Sequence, residues 1–205
     1  MKKRLLCIIA AITVSLCLSG CNIKINKIPA VPNSTVQTES DTAESGYITD
    51  WSLEDMVRNI ELNGKTYSMP LTFEDMADDY LLGETVPFEN GTYGRVLYHY
   101  DTGYPMVVRF SGDDGTGDDY KKSIINAFSI SNDYDFKVGD ISCGDDRQEI
   151  LKKYGEPSME VQESEDVYQY FYAFETEDGS GYSSLLLVFE NDKLAVVTVR
   201  YGAVE

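Results

Sequence analysis

One histidine, His99, and one tryptophan stand in a chain of 205 residues, and its 17 lysines and arginines face 35 aspartates and glutamates, for a formal charge of −18. Each shortage excludes something. A lone histidine rules out His-Glu-x-x-His zinc chemistry, no Ser-His-Asp or Cys-His pattern is recognisable around it, and no glycine motif cradles a phosphate, so no catalytic machinery is visible. So few basic residues speak against direct binding to nucleic acid or anionic headgroups; the acidic surface suits solubility or a basic partner. Long apolar runs are scarce too. The run Leu5 to Leu18 has 14 residues, short of the roughly 18 to 20 needed to span a bilayer.

What the chain does have begins at its first residues. Lys2, Lys3 and Arg4 precede that apolar run, and Leu18-Ser19-Gly20-Cys21 follows it with no Ala-x-Ala site. This is the pattern of a secretory signal, and its ending resembles the bacterial lipobox. The resemblance implies cleavage behind Gly20 and a diacylglycerol thioether on Cys21. The mature chain is then expected to be lipid-anchored at the cell membrane, facing outside the cytoplasm, because two acyl chains hold stably where one holds only marginally. Cys7 and Cys17 leave with residues 1–20 and Cys21 takes the lipid, so Cys143 remains alone. That excludes an intramolecular disulfide and, with one histidine, a zinc cluster. Flanked by Ile141 and a helix start, Cys143 reads as a small, half-buried core residue. Loss of residues 1–20 removes three basic residues and no acidic one, moving the formal charge from −18 to −21.

Residues 21–46 contain the lipidated cysteine and then a stretch with no sustained period, rich in Ser, Thr and Glu from Ser34 to Thr42. The composition predicts a flexible tether. Two units follow, 47–138 and 139–205. Three helices are expected. Ser52 caps a stripe of Leu53, Met56, Val57 and Ile60; Thr72 caps Phe73, Met76, Ala77, Tyr80 and Leu81 up to Gly83; Asp145, with Gln148, caps a helix carrying Ile150, Leu151 and Tyr154 to Gly155 and Pro157. Around them alternation and turn dipeptides predict antiparallel strands: a hairpin at Asn63-Gly64, then 95–100, 106–110, 123–130, 167–175, 184–190 and 194–201, the last two joined at Asn191-Asp192-Lys193. A helix followed by three strands occurs twice. The expected class is therefore α+β: two tandem units of short helices packed on antiparallel sheet, after a signal peptide and a flexible tether.

The stretch Ile141-Ser142-Cys143-Gly144, the helix to Lys153, and Tyr154-Gly155-Glu156-Pro157, with Gly144, Ile150, Tyr154, Gly155 and Pro157 in fixed spacing, resembles the small SmpA/OmlA outer-membrane assembly lipoprotein module. The shape of that module is shared by the beta-lactamase inhibitor protein, which carries two such units in tandem, and residues 60–134 and 139–202 look similar to that arrangement. The resemblance implies roles in binding, inhibition or assembly. The residues carrying it are a folding signature, since they cap a helix and give it an apolar stripe.

Tyrosine supplies the best functional clue after the lipid signal. Tyr168, Tyr170, Tyr172 and Phe174 alternate along one strand and share a face. Packed under helices, they are core with wet hydroxyls; turned to solvent, they are a partner-binding platform, and Tyr168, Tyr170 and Tyr172 are the partner-binding candidates. The loop 111–119 holds Asp113, Asp114, Asp118 and Asp119 among glycines, chemistry that Ca²⁺ favours, although the spacing is not that of an EF-hand and turns favour Asp and Gly for backbone reasons. Glu177 to Gly181 is a weaker version, and His99 reads as a sheet-face residue. No cofactor is expected. The function expected is that of a membrane-anchored, surface-exposed, non-enzymatic protein-binding lipoprotein. The alternatives are an inhibitor of a secreted hydrolase such as a beta-lactamase, or a structural or assembly component of the envelope.

Overall fold

A computed structural model of the chain describes residues 22–25, 53–88, 93–111, 123–131, 134–175 and 182–203, and strand takes 61% of them. The elements in chain order are β1 (Asn22–Ile25), α1 (Leu53–Arg58), β2 (Asn59–Leu62), β3 (Lys65–Ser68), β4 (Leu71–Thr72), β5 (Tyr80–Pro87), β6 (Tyr93–His99), β7 (Pro105–Phe110) and β8 (Ile124–Ser131). After them come β9 (Phe136–Val138), β10 (Ile141–Ser142), α2 (Arg147–Tyr154), β11 (Met159–Gln162), β12 (Val167–Glu175), β13 (Tyr182–Glu190) and β14 (Lys193–Ala203).

The α+β expectation is thereby corrected: the fold is a β-rich antiparallel one with two short helices among the described residues. The helix expected after Thr72 is where the reading fails. The Asp75 carboxylate accepts from both the backbone N–H and the hydroxyl of Thr72, and 73–79 form successive turns, with Met76 N–H bonded to Phe73 O and Asp79 N–H to Met76 O. Side-chain bonds of this kind offer the backbone an alternative to a helix. Tyr80, Leu81 and Leu82 then pair with His99, Tyr98 and Leu97 as the start of β5. A stripe at i, i+3, i+4 over so few residues fits either structure, and sheet pairing decides. The first helix ends at Arg58, and Ile60 belongs to β2. The third is present, with its cap one residue later than expected: Asp146 accepts from Gln148 and Glu149 N–H, while Asp145 accepts from Ser142 N–H. Its far end closes where Gly155 N–H reaches Leu151 O.

Two hairpins form where the sequence announces them. Asn63 and Gly64 take φ of 50° and 79° between Leu62 and Lys65, and Asn191 and Asp192 take 52° and 61° between Glu190 and Lys193. Left-handed conformations at both central residues match the twist of the flanking strands, which is why Asn, Asp and Gly occupy them.

Among the described residues, ten strands make one sheet in the order β1-β11-β12-β13-β14-β8-β7-β6-β5, with β4 also paired to β8; β10-β9-β2-β3 make a second. Each unit therefore supplies a four-stranded meander, β5 to β8 and β11 to β14, and the two meet through their last strands, Val199 opposite Phe128. One hydrophobic cluster runs through both units, including Ile60, Phe128, Phe136, Ile150, Phe189 and Val199. The helices and the smaller sheet contribute to that inner side; a small cluster of Val188, Ala195 and Val196 lies apart from it. β1 departs from the tether reading, because its residues pair with β11, Asn22 opposite Gln162. Residues 1–20, expected to be a signal peptide, Cys21 and residues 26–46 lie outside the described residues.

Candidate functional site

The expected tyrosine platform on β12 is not at the surface. Tyr170 and Tyr172 are 1% and 3% exposed and belong to the core, with Tyr168 half-buried beside them. Burial pushes the Tyr172 hydroxyl pKa up, and that hydroxyl donates to Gly155 O. Arg147, the first residue of α2, lies across the stripe. Its guanidinium carbon sits 3.7 Å from the Tyr168 ring centroid, Nη1 donates to the Tyr170 hydroxyl at 3.2 Å and Nε to Asp192 at 2.6 Å, and Glu160 lies 3.9 Å away. Tyr170 and Tyr172 are thus a buried anchorage for α2 and not the solvent-facing platform expected of them, while Tyr168 is half-buried beneath Arg147. Alternation fixed that they share a face, and helix docking fixed which face is covered.

An open groove of about 480 Å³ beside α2 is lined by Asp140, Asp145, Asp146, Glu149, Lys153 and Tyr154, among others. Its carboxylates are largely engaged: Asp145 and Asp146 bond backbone N–H groups, Asp146 also meets Lys193, and Asp140 pairs with Lys153. Among the described residues no three His, Cys, Asp or Glu side chains are placed to hold a metal ion. Asp113, Asp114, Asp118 and Asp119 lie outside the described residues, as does the loop Glu177 to Gly181. Cys143 is half-buried, its thiol 3.8 Å from Leu194 O.

Exposed aromatic and apolar surface gathers instead around β5 and the turn from β6 to β7. Leu81 is 54% exposed, Tyr100 58% and Tyr104 41%, and Leu81 is in register with Tyr98. β5 ends the sheet and has no strand on its outer side among the described residues. At the irregularity between Leu82 and Thr85, Gly83 makes room for the Tyr98 ring: a Cβ there would sit 2.5 Å from a ring carbon, closer than any side chain tolerates. The Tyr98 hydroxyl then donates to Glu84 at 2.9 Å.

The turn is braced from below. Thr102 N–H points at His99 Nδ1 at 3.3 Å, Gly103 N–H donates to His99 O, and His99 N–H to Tyr104 O. Tyr134 donates its hydroxyl to Tyr104 O and packs edge-on at 6.0 Å. His99 itself meets buried Tyr80 edge-on at 5.2 Å, and Tyr80 meets Tyr67 at 6.2 Å. Tyr100 N–H bonds Asp79 O, whose side chain takes the Tyr67 hydroxyl at 2.7 Å and the Lys65 ammonium. The one histidine thus organises a turn. Sequence reading passed over Tyr98, Tyr100 and Tyr104, although three tyrosines crowding an Asp-Thr-Gly turn are a visible signal: aromatic rings at a turn have few neighbours to bury them.

The Lys65 ammonium, and next the Tyr67 hydroxyl, hold the Asp79 carboxyl below the usual carboxylate range. Its contribution to stability is therefore complete above its unfolded pKa of about 3.9 and is lost as pH falls through the lower folded value. Urea unfolding from pH 6 down to strong acid should show the gap between wild type and Asp79→Asn closing below pH 4. A gap that stays constant with pH would contradict the assignment.

Comparison with protein-family models, with curated proteins and with solved structures finds no match.

Proposed function

We propose that the protein is a bacterial lipoprotein, held at the cell membrane by a lipid on Cys21 and facing outside the cytoplasm, that works as a non-enzymatic protein-binding module. The observation that carries this reading is the place of β1. Asn22, the residue after Cys21, stands opposite Gln162 at the β11 edge of the large sheet. A lipid on Cys21 would thus lie one residue from that edge, and the edge would rest at the headgroups. Leu81, Tyr98, Tyr100 and Tyr104 belong to the other end of the sheet order. Eight strand spacings separate β1 from β5, about 38 Å at about 4.8 Å each. A lipid on Cys21 and the aromatic surface would then be at opposite ends of the sheet, which suits a partner arriving from outside. Tyrosine serves such contacts well, giving large area for few frozen torsions.

Two measurements test the reading. Labelled palmitate should enter the wild-type chain and the protein should sediment with membranes; Cys21→Ser should lose both. Affinity capture from the envelope and secreted fractions should retain one stoichiometric protein, lost in the double variant Tyr100→Ala/Tyr104→Ala. Capture unchanged by that variant would remove the distal surface from the proposal, and capture of nothing would remove the protein-binding role.

A further inference from the structure

The described acidic and basic side chains mostly meet each other: Lys65 with Asp79, Lys137 with Glu61, Arg147 with Asp192, Lys153 with Asp140 and Lys193 with Asp146. Two arginines that share one face of the sheet depart from this pattern. Arg109 on β7 is in register with Ala127 on β8, and Ala127 is in register with Arg200 on β14. By the alternation of strands all three share one face of the sheet, the face opposite Phe110, Phe128 and Val199, which are core. The two arginines are two strand spacings apart, about 10 Å at the backbone. The residue between them is an alanine, 9% exposed, so no long side chain rises from β8 at that register position.

Both arginines are half-buried, and neither meets a carboxylate among the described residues. Arg200 donates from Nη1 to the Tyr182 hydroxyl and lies over that ring, 5.6 Å from its centroid. Arg109 feels the charge of Arg200, and burial together with that repulsion lowers its pKa. Further along the same face, Ser184 is opposite Arg200, and the Thr198 hydroxyl donates to Ser129 at 3.1 Å. Two like charges held together and partly out of water are unfavourable unless an anion lies between them. In a chain with 35 acidic residues, two cations with no carboxylate partner among the described residues are a placement that needs an account.

We infer that Arg109 and Arg200 form a binding site for an oxyanion, a carboxylate or phosphate group gripped by the two guanidinium groups above Ala127. Planar guanidinium groups bind both anions through paired N–H donors. The Tyr182 hydroxyl, already held by Arg200, fixes the orientation of that fork. The site does not depend on the protein-binding reading above.

The test is calorimetric titration of the full-length chain in detergent micelles, at constant ionic strength, with sodium phosphate and separately with sodium citrate. At least one anion should bind saturably, and binding should weaken about tenfold or more in Arg109→Gln and in Arg200→Gln, the loss typical of removing one partner of a charge-assisted bond. Lys152→Gln, which makes the same change in net charge elsewhere, should leave it unaltered. Saturation by phosphate alone identifies a phosphoryl ligand, by citrate alone a carboxylate ligand; either supports the site. Because a variant could lose binding by unfolding, thermal melts accompany the titration: the bound anion should raise the wild-type melting temperature and leave that of folded Arg109→Gln unmoved. No saturable binding of either anion, or equal weakening by Lys152→Gln, overturns the inference. So does an Arg109→Gln chain that is destabilised while wild type ignores both anions, since the guanidinium would then be satisfied within the chain.

Discussion

Phe128→Ala should destabilise the protein by about 3–5 kcal/mol, the loss expected when a fully buried phenylalanine leaves a cavity. Phe128 is 1% exposed on β8, with Val108 of β7 opposite it on one side and Val199 of β14 on the other. That places it on the strand where the two meanders meet, so the cavity would open at their junction. The consequence reaches beyond magnitude. Because one sheet and one cluster include both units, neither unit can lose its packing without exposing the other's. Urea unfolding followed by circular dichroism should show a single transition in wild type and variant, shifted to lower urea with little change in slope. Hydrogen exchange should show amides of β7 and of β13 losing protection together. Two separated transitions, or β5 to β8 exchanging while β11 to β14 stay protected, would show that the units fold apart.

The second large effect is expected at Arg147. Its side chain is 13% exposed and holds three elements at once: α2, where it is the first residue, β12 through Tyr168 and Tyr170, and the β13–β14 turn through Asp192. Removing one partner from a buried pair leaves the others unpaired, which costs about 3–5 kcal/mol when all are fully buried. Here Asp192 is 56% exposed, and water can replace what it loses. The buried Tyr170 hydroxyl cannot recover so easily. Arg147→Ala should therefore lower stability by about 2–3 kcal/mol, measured by urea denaturation. Arg147→Lys should recover only a minor part, because an ammonium neither stacks flat on Tyr168 nor forks between two acceptors. Asp192→Asn should lower stability by less than about 1 kcal/mol. If Arg147→Ala were as mild as Asp192→Asn, the contact with Tyr168 and Tyr170 would be no more than a surface one.

Local chemistry made much of the fold legible. Asn63-Gly64 and Asn191-Asp192 specify their hairpins because few residues take positive φ easily. Alternation located the strands at 95–100, 106–110, 167–175, 184–190 and 194–201 within a residue or two, since a pleated strand half-buried on one side must alternate. Asp145 with Gln148 announced α2, whose cap is Asp146 one residue on, and the glycine after Tyr154 marked its end. Each of these signals lies within a few residues of what it specifies.

What failed depended on distant partners. Residues 73–82 satisfy a helical stripe on paper, yet Tyr80 to Leu82 find β6 and become strand. Met159–Gln162 went unmarked as a strand because it has little pattern of its own; it exists through β12 on one side and β1 on the other. The tyrosines of β12 could be core or surface until Arg147 and α2 were set upon them, and the exposed tyrosines at the β6–β7 turn were passed over for the same reason. By itself the sequence determined the turns, the strand alternation and an acidic chain with one histidine. Only the tertiary structure decided that the two meanders join through β8 and β14, which face is covered, and that Arg109 and Arg200 stand in register on either side of Ala127. Turns and periods follow from the torsions of neighbouring residues, whereas burial and charge juxtaposition follow from pairing between strands far apart in the chain, which no local pattern encodes.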